Sequence, residues 1–144
     1  MILFFDTSAL VKLFSNETGS DTVKKLVSDQ NNEVWVLELA HVEILCAMYR
    51  KARNKEIQKE KLSDIHQLLE LQFDCFTVIP MASDVVRESD ALMKTYGLKF
   101  GLRTLDALHI AGFNIVADND WVFVSADKNQ LSVVQKLKYR VIAV

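Results

Sequence analysis

Short apolar runs alternate with segments of helical periodicity along the whole chain, and this alternation restricts the fold more than any other feature of the sequence. Ile2 to Phe5 is too brief for a helix and is bounded by Asp6-Thr7-Ser8, which reads as a buried strand. Val34 to Leu37, Phe76 to Ile79, Trp121 to Val124 and Arg140 to Val144 read the same way, with Pro80 stopping the third strand. Seven helices are expected around them. Thr7 or Ser8 caps one through Ala9, Leu10 and Leu13, and Gly19-Ser20-Asp21 opens another that turns Val23, Leu26 and Val27 to one side. A third runs from Glu38 to about Arg53 with Val42, Leu45, Cys46 and Tyr49 at helical spacing. The next directs Ile57, Leu62, Ile65, Leu68, Leu69 and Phe73 inward. Met81 to Tyr96 follows, with Gly97 where a C-cap belongs, then Thr104 to about Ile115 and Asp127 to Leu137. Strands alternating with helices call for an α/β fold, a three-layer α/β/α sandwich on a mainly parallel sheet. No repeat, low-complexity tract or linker interrupts the pattern, so residues 1–144 are expected to form a single domain.

In such sheets the functional crevice lies beyond the carboxyl ends of the strands. Asp6 directly follows the first strand, and Asp127 follows Val122-Phe123-Val124 at an equivalent place. Asp118 and Asp120 precede that strand and are expected at its wrong end. Asp106 falls in the first turn of a helix, and Glu43 lies between Val42 and Ile44 in an apolar one. Each has a structural reading: Asp6 as a helix cap, Asp106 as an answer to a helix dipole, and Asp127 with Gln130 as a capping box. Glu43 resists such a reading, because no Lys or Arg lies within the turn before it to pair a buried carboxylate. A hard divalent ion joins all four, since Mg²⁺ and Mn²⁺ take carboxylate oxygens and relieve the repulsion between crowded acids.

The net charge of −2 does not exclude a polyanionic partner, because with four carboxylates committed to a metal the rest of the chain is net basic. Cys46 and Cys75 sit in apolar stretches without a CxxC spacing, which fits buried free thiols in a reducing compartment. No apolar run approaches the roughly 20 residues of a membrane span, and no secretory leader is visible. A cytoplasmic protein is expected.

Phe5-Asp6-Thr7-Ser8-Ala9-Leu10 resembles the opening strand and turn of the PIN-domain family. Leu105-Asp106-Ala107-Leu108-His109-Ile110-Ala111 is similar to its second motif, Val124-Ser125-Ala126-Asp127-Lys128 to its last, and Glu43 stands where its helix-borne Glu belongs. The resemblance covers nearly the whole chain in the right order. It implies an Mg²⁺- or Mn²⁺-dependent endoribonuclease, with Asp6, Glu43, Asp106 and Asp127 carrying the metal site. Ser8 and Ser125 would support carboxylates or water through hydrogen bonds. Members of this size resemble VapC-like toxins of toxin–antitoxin pairs, which implies an RNA substrate, a homodimer and a cognate antitoxin whose tail fills the groove. The chain departs from the family before Glu43, where Glu38-Leu39-Ala40-His41-Val42 lacks the usual Ser or Thr.

His109, three residues after Asp106, is expected to be a packed or surface histidine, since no second His or Cys joins it at ligand spacing. Arg103 is the better candidate for a phosphate contact or an ion pair. The alternative function is a PIN-like RNA- or protein-binding module with weak or lost nuclease activity. A receiver would show paired acids after its first strand, and a haloacid-type phosphatase would read Asp-x-Asp where this chain has Asp6-Thr7-Ser8.

Overall fold

The computed structural model describes residues 1–144. Five strands form one sheet: β1 (Ile2–Phe5), β2 (Glu33–Leu37), β3 (Thr77–Ile79), β4 (Val122–Ser125) and β5 (Arg140–Ala143). Their spatial order is β3-β2-β1-β4-β5, and every neighbouring pair is parallel. Phe5 lies opposite both Val36 and Val124, so the central strand ends in register with its two neighbours. Both faces are covered by helices, which gives the three-layer α/β/α sandwich expected from the alternation.

The period-2 pleat sorts the strand residues into two cores. Leu3, Phe5, Val34, Val36, Val122 and Val124 pack against α1 (Thr7–Leu10), α2 (Ser20–Ser28), α3 (Leu39–Arg53) and α4 (Leu62–Cys75). Phe4, Leu37 and Phe123 meet α5 (Ser83–Phe100), α6 (Thr104–Val116) and α7 (Lys128–Lys136) on the opposite face. Phe4 stacks on Phe123 at 5.8 Å and meets Phe113 edge-on at 5.5 Å, with all three rings fully buried. Each such side chain contributes on the order of 1.5–3 kcal/mol through burial, so this triplet anchors β1 and β4 to α6. No helix is long and apolar enough to cross a membrane.

Several local expectations are corrected. On α3 the buried stripe is Ala40, Ile44 and Met48, while Val42 and Tyr49 are more than half exposed and Cys46 is exposed. Two apolar stripes coexist on that helix, and helical spacing alone does not say which one meets the sheet. Cys75 is exposed as well, so neither thiol is buried. Leu68 turns outward while Leu69 is buried, and Ile57 precedes a 3-10 turn, Lys59–Lys61, rather than lying in a helix. The helix expected to end at Gly97 continues to Phe100. Gly101, at φ 61°, supplies the left-handed C-cap instead. The first helix is one α-turn followed by a 3-10 turn, Val11–Leu13, and its cap is Asp6 rather than Thr7 or Ser8.

Candidate active site

Because all five strands run the same way, their carboxyl ends share one edge of the sheet. Residues just beyond β1, β2 and β4 gather there, and α6 brings its first turn to the same place. Asp6, Glu43, Asp106 and Asp127 all line one cleft of about 410 Å³, together with Thr7, Ser8, Arg103, His109 and Gln130. Asp118 and Asp120 are exposed at the amino end of β4, away from it. A larger concavity of about 570 Å³ lies alongside and shares Glu17 and Lys51 with the cleft. Lys51 reaches Glu17 at 3.4 Å and Glu56 at 3.6 Å there, so much of that concavity's charge is already paired. The excess of carboxylates (Asp6, Glu17, Glu43, Asp106 and Asp127) over the cations Arg50, Lys51 and Arg103, not the volume, marks the smaller cleft as the candidate site.

Asp6 is 1% exposed. Its Oδ1 accepts the Ala9 backbone N–H at 3.0 Å and caps α1, while the Ser8 hydroxyl lies 2.9 and 2.8 Å from its two oxygens. Burial raises the Asp6 pKa above the ordinary carboxylate range, against the opposing pull of His109 and of hydrogen bonds from Ser8, Ala9 and Ser125. The Ser8 oxygen also accepts the Ala126 N–H at 2.9 Å, which ties the turn after β1 to the turn after β4. Ser125 accepts the Asp127 N–H at 2.9 Å. Asp127 in turn caps α7, accepting from Asn129 at 2.7 Å and Gln130 at 3.1 Å. Both hydroxyls therefore hold the acidic turns in place, Ser8 by contact with both Asp6 oxygens and Ser125 by accepting the Asp127 N–H while lying beside the Ser8 hydroxyl at 3.3 Å.

Asp106 is 7% exposed and is held by Arg103, whose Nε donates to Oδ2 at 2.9 Å and whose backbone N–H donates to the same atom at 3.3 Å. The backbone contact is half of a capping box, and Arg103 has no acceptor with which to complete the other half. Its Nη2 also reaches Asp127 Oδ2 at 3.4 Å. The Arg103 side chain is 75% exposed, so these pairs hold it loosely at the rim of the cleft.

Glu43 meets Thr7 and His109. Thr7 Oγ1 donates to Glu43 Oε2 at 2.7 Å, and His109 Nε2 lies 2.5 Å from the same oxygen and 3.0 Å from Thr7 Oγ1. An ionised carboxylate only accepts, so Nε2 carries the proton. Burial alone would raise the Glu43 pKa, but the hydrogen bond and charge of His109, joined by Thr7, outweigh it and hold the group lower than usual. His109 is packed, at 2% exposed, as its spacing suggested, yet it packs into the acidic cleft and positions one of the four acids. Sequence reasoning passed over Thr7 and His109 as site residues. It also placed Gln130 in a capping box, whereas the Gln130 side chain leaves Asp127 and donates to Asp6 and Asp106.

The donor set fits a hard divalent cation: four carboxylates from four separate segments, offering only oxygen around one opening. As they stand, no three carboxylate or imidazole groups converge closely enough to share an ion. The Gln130 amide and the Arg103 guanidinium occupy the spaces between them and supply the hydrogen bonds that keep the acids together.

The PIN domain family model matches residues 3–135. Ribonuclease VapC45 of Mycobacterium tuberculosis is 28% identical over 127 residues, covering 88% of this chain and 85% of that protein. Among solved structures, VapC20 of Mycobacterium tuberculosis, described as a sarcin–ricin loop cleaving toxin, superposes with a TM-score of 0.69 at 14% identity. That match covers 90% of this chain and 93% of the other. A toxin–antitoxin complex from Klebsiella pneumoniae contains a chain that superposes at 0.65 with 16% identity, covering 98% and 96%. At such identities the superpositions speak for the fold alone. The family match spans almost the full length and takes in all four acids of the cleft, and the chain belongs to the PIN domain family.

Proposed function

We propose that this protein is a metal-dependent endoribonuclease, the toxin of a type II toxin–antitoxin module, acting through Asp6, Glu43, Asp106 and Asp127. The observation that carries this reading is the convergence of these four carboxylates, from positions up to the last helix, on one cleft at the carboxyl edge of a parallel sheet. The naming of the full-length relatives as ribonucleases supports it, as does the occurrence of this fold in a toxin–antitoxin complex.

The four acids would hold Mg²⁺ or Mn²⁺. When bound, such an ion lowers the pKa of coordinated water and offsets the charge that builds on the phosphodiester. The chain's own side chains do the rest. Ser8 fixes the plane of the Asp6 carboxylate, and Thr7 with His109 keeps Glu43 ionised and oriented. Arg103, mostly exposed at the rim, is free to exchange its carboxylate partners for a substrate phosphate. Arg50 and Lys51 line the same cleft and extend a path for the RNA backbone.

A cognate antitoxin would silence the enzyme by filling the cleft, and a homodimer is the proposed assembly. The apolar side chains that α3 and α4 leave in solvent, Val42, Tyr49 and Leu71, support an assembled state. The direct test is incubation of a mixed RNA pool with the purified protein in Mg²⁺ or Mn²⁺ and in EDTA. Cleavage that needs the metal is expected. Metal-bound protein that binds RNA without cutting it would favour a binding module instead.

A further inference from the structure

Two side chains of the cleft keep a buried polar atom without a partner, His109 at Nδ1 and Gln130 at Oε1, and the Gln130 cost is one that neither the fold nor the helix cap accounts for. Gln130 is 3% exposed, and its Nε2 donates to Asp6 Oδ2 at 2.9 Å and to Asp106 Oδ1 at 3.1 Å. The amide is thus the direct link between two acids a hundred residues apart. Its Oε1 is buried and has no partner, and an unpartnered buried acceptor opposes folding. Turning the amide over would not help while the two acids are ionised, because Oε1 would then face two carboxylate oxygens that only accept. Both hydrogens of the NH₂ group are spent on the acids while the carbonyl is left bare. The side chain is placed for its donor end.

We propose that the Gln130 amide is a displaceable stand-in for the cation: it bridges Asp6 and Asp106 in the metal-free protein and gives up that place when the ion binds. This deepens the metal-dependent reading above and rests on it. An amide nitrogen keeps its acceptors about 2.9 Å away, whereas Mg²⁺ draws carboxylate oxygens to about 2.0–2.1 Å. One gap between the same two oxygens does not hold both. The bridge lowers the repulsion that would otherwise spread the two carboxylates in the absence of metal. It also competes with the metal, so its removal makes the metal-free cleft less stable and the ion more tightly held.

Gln130→Met tests this, because methionine keeps the length and volume and removes the donor. Mn²⁺ binding is measured by calorimetry for the wild type and the variant, beside thermal melts of each in EDTA. The expected result is a lower melting temperature in EDTA and an Mn²⁺ dissociation constant smaller by about tenfold, the size of a hydrogen bond to a charged group. Unchanged or weaker Mn²⁺ binding by a folded variant would overturn the proposal and leave the metal site itself standing. A wild type that binds no Mn²⁺ would remove the metal reading and this inference with it. Should Gln130→Met fail to fold in EDTA, Gln130→Asn, whose shorter amide does not span both acids, is expected to shift Mn²⁺ affinity in the same direction.

Discussion

Asp6 and Glu43 sit a few side chains apart and are pushed in opposite directions, which gives the metal-free protein a particular dependence on pH. Burial raises the Asp6 pKa, so its contribution to stability is complete below the ordinary value of about 3.9 and is lost as pH rises through the raised value. The Glu43 pKa is lowered, so its contribution is present above about 4.3 and is lost only as pH falls through the lowered value. Asp6→Asn removes the first of these alone. In EDTA, the melting temperature of the variant relative to wild type should rise as pH climbs from the ordinary carboxylate value through the raised one, and level off above it. A difference that stayed constant over that range would show that burial does not penalise the Asp6 charge. The acids were visible in the sequence because each stands at a strand end, in a helix first turn or in an apolar run. Thr7, His109 and Gln130 were not, because their partners lie 36, 66 and 124 residues away and appear only when the sheet is assembled.

At the scale of elements, the acids that take up helix-start positions are the same ones that line the cleft, so the structural reading of each stands beside its proposed role in the site. Asp6 and Asp127 cap α1 and α7 by accepting their first-turn N–H groups, and Asp106 sits in the first turn of α6, so three helix N-termini meet at the acidic cleft. The strands and helices were legible because their apolar periods differ. The choice between two apolar stripes on α3 was not, since Ala40-Ile44-Met48 and Val42-Cys46-Tyr49 satisfy the same spacing. The end of α5 was misplaced for a related reason, as two glycines four residues apart both suit a C-cap. Substitution separates them. Gly97→Ala should stabilise by up to about 1 kcal/mol through helix propensity, because its new Cβ meets only the flexible end of Met93 at 3.3 Å. Gly101→Ala should cost about 1–2 kcal/mol, because the site is open but its φ of 61° is left-handed. Urea denaturation of both variants checks the pair, and equal effects would contradict the assignment of the cap.

For the whole molecule, fold class and the gathering of acids at one sheet edge follow from strand direction alone: a parallel sheet brings every carboxyl end to one side. Charge placement follows less readily. The chain is net acidic at −2, and the cations that line the cleft are Arg50, Lys51 and Arg103. RNA binding should therefore depend only mildly on salt. Three phosphate contacts on a single strand correspond to a log–log slope of about −2, and Asp6→Asn titrated with a short RNA across a range of KCl should give that value or a shallower one. A much steeper slope would place the RNA on a basic surface outside the cleft. The central claim, that the four acids form one metal-dependent catalytic site for RNA, is tested most directly by assaying wild type, Asp6→Asn and Asp106→Asn side by side on one RNA pool in Mn²⁺. Both variants should stay folded and lose at least about a hundredfold in cleavage rate, of the order expected when a charge-stabilising group is removed. Either variant cutting RNA at the wild-type rate would contradict it.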